Sequence, residues 1–130
     1  MSSVEAVCVD PASVRLVWPR VGGMVKRAID RGYTDWNCVE PNLLDGLWLL
    51  WLVWDGKEIR GVAITSLVGD ACEIVACAGH DVKSWLHLIK DLEQFARNEG
   101  RKRMRIIGRR GWRRVLPAYR QTAVVLERAL

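Results

Sequence analysis

The residues best suited to chemistry in this 130-residue chain are arginines near its C-terminal end. Between Arg97 and Arg120 there are ten Lys or Arg residues and a single acid, Glu99. The planar guanidinium group of arginine suits two-point contacts with phosphate or carboxylate groups, and a neighbouring tryptophan could stack on a nucleic-acid base. A binding surface in this segment would use Arg103, Arg105, Arg109, Arg110, Trp112, Arg113 and Arg114.

Two interpretations of this basic segment follow from the residues alone. The basic side chains could be exposed to solvent, with some arginines paired to acids of the first helices. Alternatively, the segment could bind nucleic acid or an acidic protein surface. Residues 1–96 carry nine Lys/Arg and 13 Asp/Glu, a net charge of −4, whereas residues 97–130 carry 11 and two, a net charge of +9. The positive charge therefore belongs to one end of the fold, although no helix-turn-helix, zinc-finger or aromatic RNA-binding pattern accompanies it.

Cysteine and histidine do not form recognisable sites in this sequence. The four cysteines lack a CxxC pair, and His80 and His87 lie outside zinc-ligand spacing, so buried free thiols and no metal are expected. The longest apolar run, 47–54, has eight residues, far fewer than a membrane span needs. With no signal-peptide pattern either, we expect a cytoplasmic protein that does not interact with membranes.

The elements that would position these residues follow from hydrophobic periodicity. Strands are predicted at 4–9, 47–54, 59–68, 71–78, 101–108 and 122–130, and helices at 19–30, 35–44, 84–99 and 112–116. Pro19 is placed in the first turn of its helix, and Asp81 is the expected N-cap of the third helix. The order predicts one α+β domain over residues 1–130, with a mixed, mostly antiparallel sheet of about six strands and helices on both faces.

Four stretches carry a resemblance to the GCN5-related N-acetyltransferase (GNAT) fold, and with the element order they cover nearly the whole chain. They are VWPRV at 17–21, LLWLVWDG at 49–56, IVACAG at 74–79 and GRRGWRRVLPAYR at 108–120. The sequence most resembles small GNAT-like proteins of tailed phages and prophages. That resemblance implies a location in the host-cell cytoplasm or in the virion.

The GNAT resemblance implies a gap between the fourth and fifth strands, 71–78 and 102–108, where the pantetheine arm of coenzyme A pairs with the fourth strand. The cofactor's pyrophosphate would lie at the start of the next helix, whose unpaired N–H groups favour anions. The residues that would hold acetyl-coenzyme A are Val75, Cys77, Gly79, His80, Val82, Lys83 and Ser84. Because the basic fifth strand borders this gap, capture of a coenzyme A phosphate is a third interpretation of its arginines.

The loop after the fourth strand departs from the family's Gln/Arg-x-x-Gly-x-Gly/Ala pattern. Its counterpart is AGHDVK, in which Ala78 replaces the leading residue, and Asp81 and Lys83 replace the two glycines. As an N-cap, Asp81 would occupy N–H groups that a pyrophosphate needs and would repel it. Lys83 and a protonated His80 would offset this in part.

Catalytic candidates also come from the resemblance. GNAT transferases often use a carboxylate on the third or fourth strand as general base and a tyrosine near the last helix as general acid. Carried over to this sequence, these are Glu73 and Tyr119. Glu73 could equally be a solvent-facing residue near a turn, and Tyr119 could fill the apolar position that a Gly-Phe pair takes in relatives.

The sequence therefore favours a phage-type GNAT-like protein that is not catalytic. It would be a binding or virion-assembly protein that acts through its basic C-terminal face and needs no cofactor. Its expected partners are nucleic acid, an acidic protein surface, further copies of itself or other subunits of a phage assembly. The alternative is an acetyl-coenzyme A-dependent N-acetyltransferase with an atypical pyrophosphate loop.

Overall fold

One five-stranded sheet forms the centre of the fold. Its strands are β1 (Glu5–Val9), β2 (Trp48–Trp54), β3 (Ile59–Val68), β4 (Ala71–Gly79) and β5 (Arg103–Ile106). They lie side by side in that order; β1 to β4 pair antiparallel, and β5 is parallel to β4. The structure is a computed structural model that describes residues 4–30, 34–79, 82–107 and 112–130, excluding the side chains of residues 82–85 and 112–113.

The helices cover both faces of the sheet, as predicted. They are α1 (Val14–Asp30), α2 (Val39–Leu44), α3 (Val82–Asn98) and α4 (Trp112–Val115). Short 3₁₀ turns at Pro11–Ser13 and Trp36–Cys38 lead into α1 and α2, and each is capped by an aspartate side chain. One core lies between α1, α2 and the sheet, and a second lies on the opposite face under α3 and the end of α4. No helix among the described residues is long and apolar enough to cross a membrane.

The tryptophans of β2 alternate between the two cores. Trp48 packs against the α1/α2 core, whereas Trp51 belongs to the core under α3. Trp51 Nε1 donates a hydrogen bond of 3.0 Å to the hydroxyl of buried Thr65, and the Trp51 ring meets that of Phe95 edge-on. These two tryptophans are therefore core residues, as the strand periodicity predicts.

The start of α1 corrects the prediction of a helix at 19–30. Pro19 lies inside α1 rather than in its first turn. A proline inside a helix costs about 3 kcal/mol relative to alanine. However, the extra turn places Val14 in the core at 1% exposure, and burying a valine contributes about 1.5–3 kcal/mol. The two terms are of similar size, so propensity alone could not locate the helix start.

The last predicted strand is absent, so the described residues form a sheet of five strands, close to the predicted number of about six. Residues 120–130 form no strand and are all exposed. Valine and leucine favour a strand only when a neighbouring strand pairs with their backbone and their side chains are covered. Neither condition is met for this segment within the single chain.

Candidate functional site

A half-open edge of β4 is the main functional feature of the sheet. β5 pairs with β4 at four positions, from Ala71 opposite Arg103 to Ile74 opposite Ile106. On its other side, β4 pairs with β3 as far as Gly79, opposite Gly61. Among the described residues, positions 75–79 therefore have a strand on one side and none on the other; we call these five residues the open edge of β4. At about 3.3 Å per residue, this edge is roughly 17 Å long.

A β-bulge marks the beginning of the open edge. Ile64 pairs with Ala76 and Thr65 pairs with Ile74, so Val75 has no counterpart on β3. Val75 and Ala76 both pack towards the α1/α2 core, while Ile74 belongs to the opposite one. A bulge leaves one residue out of the ladder and bends its strand. The bulge therefore coincides with the position at which β4 separates from β5, since the β4–β5 ladder ends at Ile74.

The far end of the open edge leads directly into α3. β4 ends at Gly79 and α3 begins at Val82. A helix start has backbone N–H groups without intrahelical partners, and these favour an anion. His80 and the predicted cap Asp81 lie outside the described residues, as do the side chains of Val82, Lys83 and Ser84. The backbone thus places the open edge of β4 directly before the start of α3. The role of the loop side chains in binding phosphate remains a prediction.

Glu73, the candidate base, is paired with one of the candidate surface arginines. Arg105 Nη1 lies 3.0 Å from Glu73 Oε2, and the two residues are opposite each other in the parallel ladder. The Glu73 side chain is 19% exposed and that of Arg105 is 41% exposed. The pair lies beside the paired half of β4, two residues before the bulge. It therefore ties β5 to β4 at the end where the two strands remain together.

The other arginines at the start of β5 contact the turn between β3 and β4. Arg103 Nε lies 3.4 Å from a carboxylate oxygen of Asp70, and the backbone N–H groups of Lys102 and Arg103 donate to the Asp70 carbonyl. A guanidinium nitrogen of Arg101 donates to the carbonyl of Gly69. The acids that pair with the basic strand thus come from this turn and from β4, not from the first helices.

The rest of the predicted basic surface is described only in part. Arg109 and Arg110 lie outside the described residues, as do the side chains of Trp112 and Arg113. Arg114 is exposed on α4. Of the seven predicted surface residues, Arg103 and Arg105 contact acids of the same chain, and Arg114 faces solvent.

Tyr119, the candidate acid, is bonded to α3. Its hydroxyl donates a hydrogen bond of 2.6 Å to Glu93 Oε2, and its ring packs against the core under α3. Burial raises the pKa of Tyr119 well above its usual value, and the hydrogen bond and the charge of Glu93 raise it further. In this arrangement the phenol holds its proton against a carboxylate, so transfer of that proton elsewhere would require the hydrogen bond to Glu93 to be exchanged.

The thiols of β4 are poor nucleophiles. Burial raises the pKa of Cys72 to about 11 and that of Cys77 well above its usual value. Since the thiolate is the reactive form, a covalent acyl-cysteine step at either position is disfavoured. The described residues contain no group of three or more His, Cys, Asp or Glu side chains that could hold a metal ion.

Two features of the site could not be predicted from the sequence. The contact of Glu93 with Tyr119 joins residues 26 positions apart in the sequence, so no local pattern indicates it. The bulge at Val75 could not be predicted because residues 74–78 are all apolar. The alternation of polar and apolar residues that would show a change of strand face is therefore missing.

Comparison with known proteins identifies the fold. No family model and no curated protein matches the sequence. Among solved structures, AAC(6')-Iy in complex with the bisubstrate analogue CoA-S-monomethyl-acetylneamine superposes with a TM-score of 0.71 and 13% identity, over 99% of each chain. A predicted acetyltransferase from Clostridium acetobutylicum, solved with acetyl-coenzyme A, gives 0.67 and 12% over 98% of this chain and 96% of the other. A GNAT family acetyltransferase from Staphylococcus aureus gives 0.64 and 16% over the full length of both. The chain has the GNAT acetyltransferase fold.

Proposed function

We propose that this chain is an acetyl-coenzyme A-dependent N-acetyltransferase whose cofactor binds along the open edge of β4. The observation that carries the proposal is that, among the described residues, the β4–β5 ladder ends at Ile74 and Ile106. An extended molecule with amide groups can add to an unpaired strand edge through main-chain hydrogen bonds. The pantetheine arm of coenzyme A is such a molecule, and pairing of this kind needs no particular side chain.

The residues present fit the pantetheine arm better than they fit the phosphates. The side of β4 that faces away from β3 at residues 75–79 would offer backbone groups to the pantetheine amides, and the start of α3 would offer N–H groups to the phosphates. The loop nevertheless lacks the family's two glycines, with Asp81 and Lys83 at those positions. The expected consequence is binding through the edge, with a weaker contribution from the pyrophosphate.

The proposed reaction transfers an acetyl group from sulfur to nitrogen. Bound acetyl-coenzyme A supplies the activated thioester; a C–N bond to the acceptor amine forms, the C–S bond breaks, and the acceptor loses a proton. Glu73 lies on β4 two residues before the bulge, and a carboxylate there can accept that proton directly or through water. The departing thiolate takes up a proton from water or from Tyr119, and Tyr119 could donate only after its hydrogen bond to Glu93 is broken.

Calorimetric titration with acetyl-coenzyme A tests the binding step. The informative variant is Lys83→Glu, which reverses a charge in the first turn of α3 and should weaken binding severalfold by repelling the cofactor phosphates. Lys90→Glu is the matched control, since Lys90 lies two helical turns further along and is exposed. Absence of binding heat and of a thermal shift at saturating cofactor would refute the proposal.

Turnover requires a separate measurement with a panel of amines. Cys8 is an exposed thiol, so released coenzyme A should be measured by chromatography rather than with a thiol reagent. Glu73→Gln should lower the rate by about 10²–10⁴-fold if Glu73 is the base and should leave acetyl-coenzyme A binding nearly unchanged. An unchanged rate would remove Glu73 from the chemistry.

A second candidate is the non-catalytic one, a binding or virion-assembly protein of a phage acting through its basic C-terminal end. Both catalytic candidates already form hydrogen bonds with other side chains, Glu73 with Arg105 and Tyr119 with Glu93, which favours a non-catalytic role. The net charge of +9 in residues 97–130 favours binding of an acidic partner. Filter binding to DNA or RNA over a range of salt tests its nucleic-acid form. The double variant Arg113→Glu/Arg114→Glu should abolish that binding, while Arg20→Glu/Arg27→Glu on the exposed side of α1 should not.

A further inference from the structure

Two arginines border the candidate base Glu73 on one face of the sheet. Met104 and Ile106 pack into the core under α3, so the alternate residues of β5, Arg103 and Arg105, project from the opposite face. Glu73 projects from that same face, because it lies directly opposite Arg105 in the parallel ladder. An acceptor amine that gives its proton to Glu73 therefore binds beside these two arginines.

Both arginines are paired with acids, yet each keeps hydrogen-bond donors for a ligand. Arg103 contacts Asp70 through Nε and Arg105 contacts Glu73 through Nη1, whereas a guanidinium group has five N–H donors. The side chains of Arg103 and Asp70 are 67% and 50% exposed. An ion pair that is so exposed contributes little to stability, so a ligand carboxylate can share the Arg103 guanidinium with Asp70.

The charge around Glu73 stays positive when these acids are counted. Residues 101–105 carry four cationic side chains, whereas residues 69–73 beside them carry two acids, Asp70 and Glu73, so the net charge is +2. Lys102 is exposed and forms no ion pair with any described residue. A surface of this charge attracts an anion and repels a polycation.

We propose that the acceptor is a primary amine that also carries a carboxylate, and that Arg103 recognises this carboxylate; the inference rests on the proposed acetyltransferase function. The amine lies at Glu73, level with Arg105, and Arg103 is two residues away along the strand, a distance of about 7 Å. An acidic side chain at the second residue of a peptide can span this distance from the terminal amine. A small amino acid with five methylene groups between amine and carboxylate can also do so.

Matched acid and amide acceptors test this proposal on the full chain. ε-Aminocaproate and ε-aminocaproamide represent small molecules, and the amidated peptides Ala-Glu-Ala and Ala-Gln-Ala represent peptides; the members of each pair differ only in the carboxylate. The acid of at least one pair should have a kcat/KM about tenfold higher than its amide, and added salt should reduce this preference. Equal rates within both pairs, or a preference for the amides, would overturn the proposal and leave the acetyltransferase function standing.

Two substitutions with opposite expected effects test the role of Arg103. Arg103→Gln should bring the acid-to-amide ratio of kcat/KM close to one by raising KM for the acid. Asp70→Asn removes the competing carboxylate and should lower KM for the acid. Lys90→Gln is the control, because Lys90 is exposed on α3, which covers the other face of the sheet. An acid preference that survives Arg103→Gln would overturn the assignment to Arg103.

Binding without turnover separates this inference from the proposed function. Saturation transfer in NMR, from the protein to ε-aminocaproate or the acidic peptide, should be detected without cofactor and should be lost in Arg103→Gln. Such binding in a chain that acetylates none of the four compounds would refute the proposed reaction and confirm carboxylate recognition. Absence of transfer to both acids, with and without acetyl-coenzyme A, would overturn the inference.

Discussion

The hydrogen bond between Tyr119 and Glu93 makes a prediction about pH at the scale of single residues. The pKa of Tyr119 is raised in the folded protein, first by burial and then by Glu93, whereas a tyrosine in the unfolded chain ionises near pH 10. A group whose pKa is raised on folding contributes stability that is complete below the unfolded pKa. That contribution is lost as the pH rises through the folded pKa. The unfolding free energy should therefore fall above about pH 10.

Because the chain has only two tyrosines, the ionisation of Tyr119 can be measured separately. In Tyr33→Phe, Tyr119 is the one remaining tyrosine, so the tyrosinate absorbance reports it alone and should appear later than in an unfolded sample. Urea unfolding of Tyr119→Phe should show a smaller loss of stability in alkali than Tyr33→Phe does. Ionisation of Tyr119 at the ordinary value for tyrosine would show that the hydroxyl is neither buried nor bonded to Glu93.

The two residue pairs also show why the sequence could predict the candidate catalytic residues but not the side chains that they contact. Glu73 and Arg105 were each singled out, for different roles, yet their contact across 32 positions depends on the register of β5 beside β4. Register is set by packing and by pairing partners distant in sequence. The link between Tyr119 and Glu93 is of the same kind, because the direction in which the chain leaves α4 decides it.

At the scale of elements, the two adjacent glycines of α1 should behave differently. A Cβ atom at Gly23 would meet nothing within 4 Å, whereas one at Gly22 would lie 3.3 Å from the indole nitrogen of Trp18. Glycine inside a helix costs about 0.5–1 kcal/mol relative to alanine. Gly23→Ala should therefore raise the free energy of unfolding by that amount in a urea titration. Gly22→Ala should gain less or lose stability, and equal effects would mean that Trp18 does not limit the space beside Gly22.

The open edge of β4 makes a second prediction at this scale. If the pantetheine arm pairs with residues 75–79, alternate amides of this stretch should exchange slowly when acetyl-coenzyme A is bound and quickly when it is not. Hydrogen exchange followed by NMR resolves this pattern. The amides of β1, at the other edge of the sheet, are the internal control and should not change. Protection of both edges alike would indicate general stabilisation rather than pairing at β4.

Elements were predictable from sequence where local pattern and tertiary packing agree. Asp55 and Gly56 define the β2–β3 turn through bonds from the N–H groups of Lys57 and Glu58 to the Asp55 side chain, and β3 was predicted with its observed bounds. The prediction was wrong where a distant partner decides the outcome. Burial of Val14 extends α1 past Pro19, and residues 122–130 stay out of the sheet because no strand pairs with their backbone.

At the scale of the whole molecule, the sheet separates two cores that have no helix in common. Ile29 of α1 belongs to the core on one face, and Ile89 of α3 belongs to the core on the other. β2, β3 and β4 contribute side chains to both. Because each central strand contributes side chains to both cores, unfolding of the helices on either face would expose the apolar side chains of that face to water. We therefore expect the two cores to unfold together as a single cooperative unit, as the prediction of one domain over residues 1–130 requires.

Substitution of one residue in each core tests this cooperativity. Ile29 and Ile89 are each 2% exposed, and removing one methylene group from a buried isoleucine costs about 0.5–1.5 kcal/mol. Ile29→Val and Ile89→Val should each shift the urea midpoint without changing the slope of the transition. In the double variant the two losses should add to within about 0.5 kcal/mol, because the sites lie on opposite faces and share no direct contact. A biphasic transition in either variant, detected by comparing tryptophan fluorescence with circular dichroism, would show that the layer under α3 unfolds independently of the layer under α1. The single-domain prediction would then be wrong, and the gap beside β4 would belong to a subdomain able to open by itself.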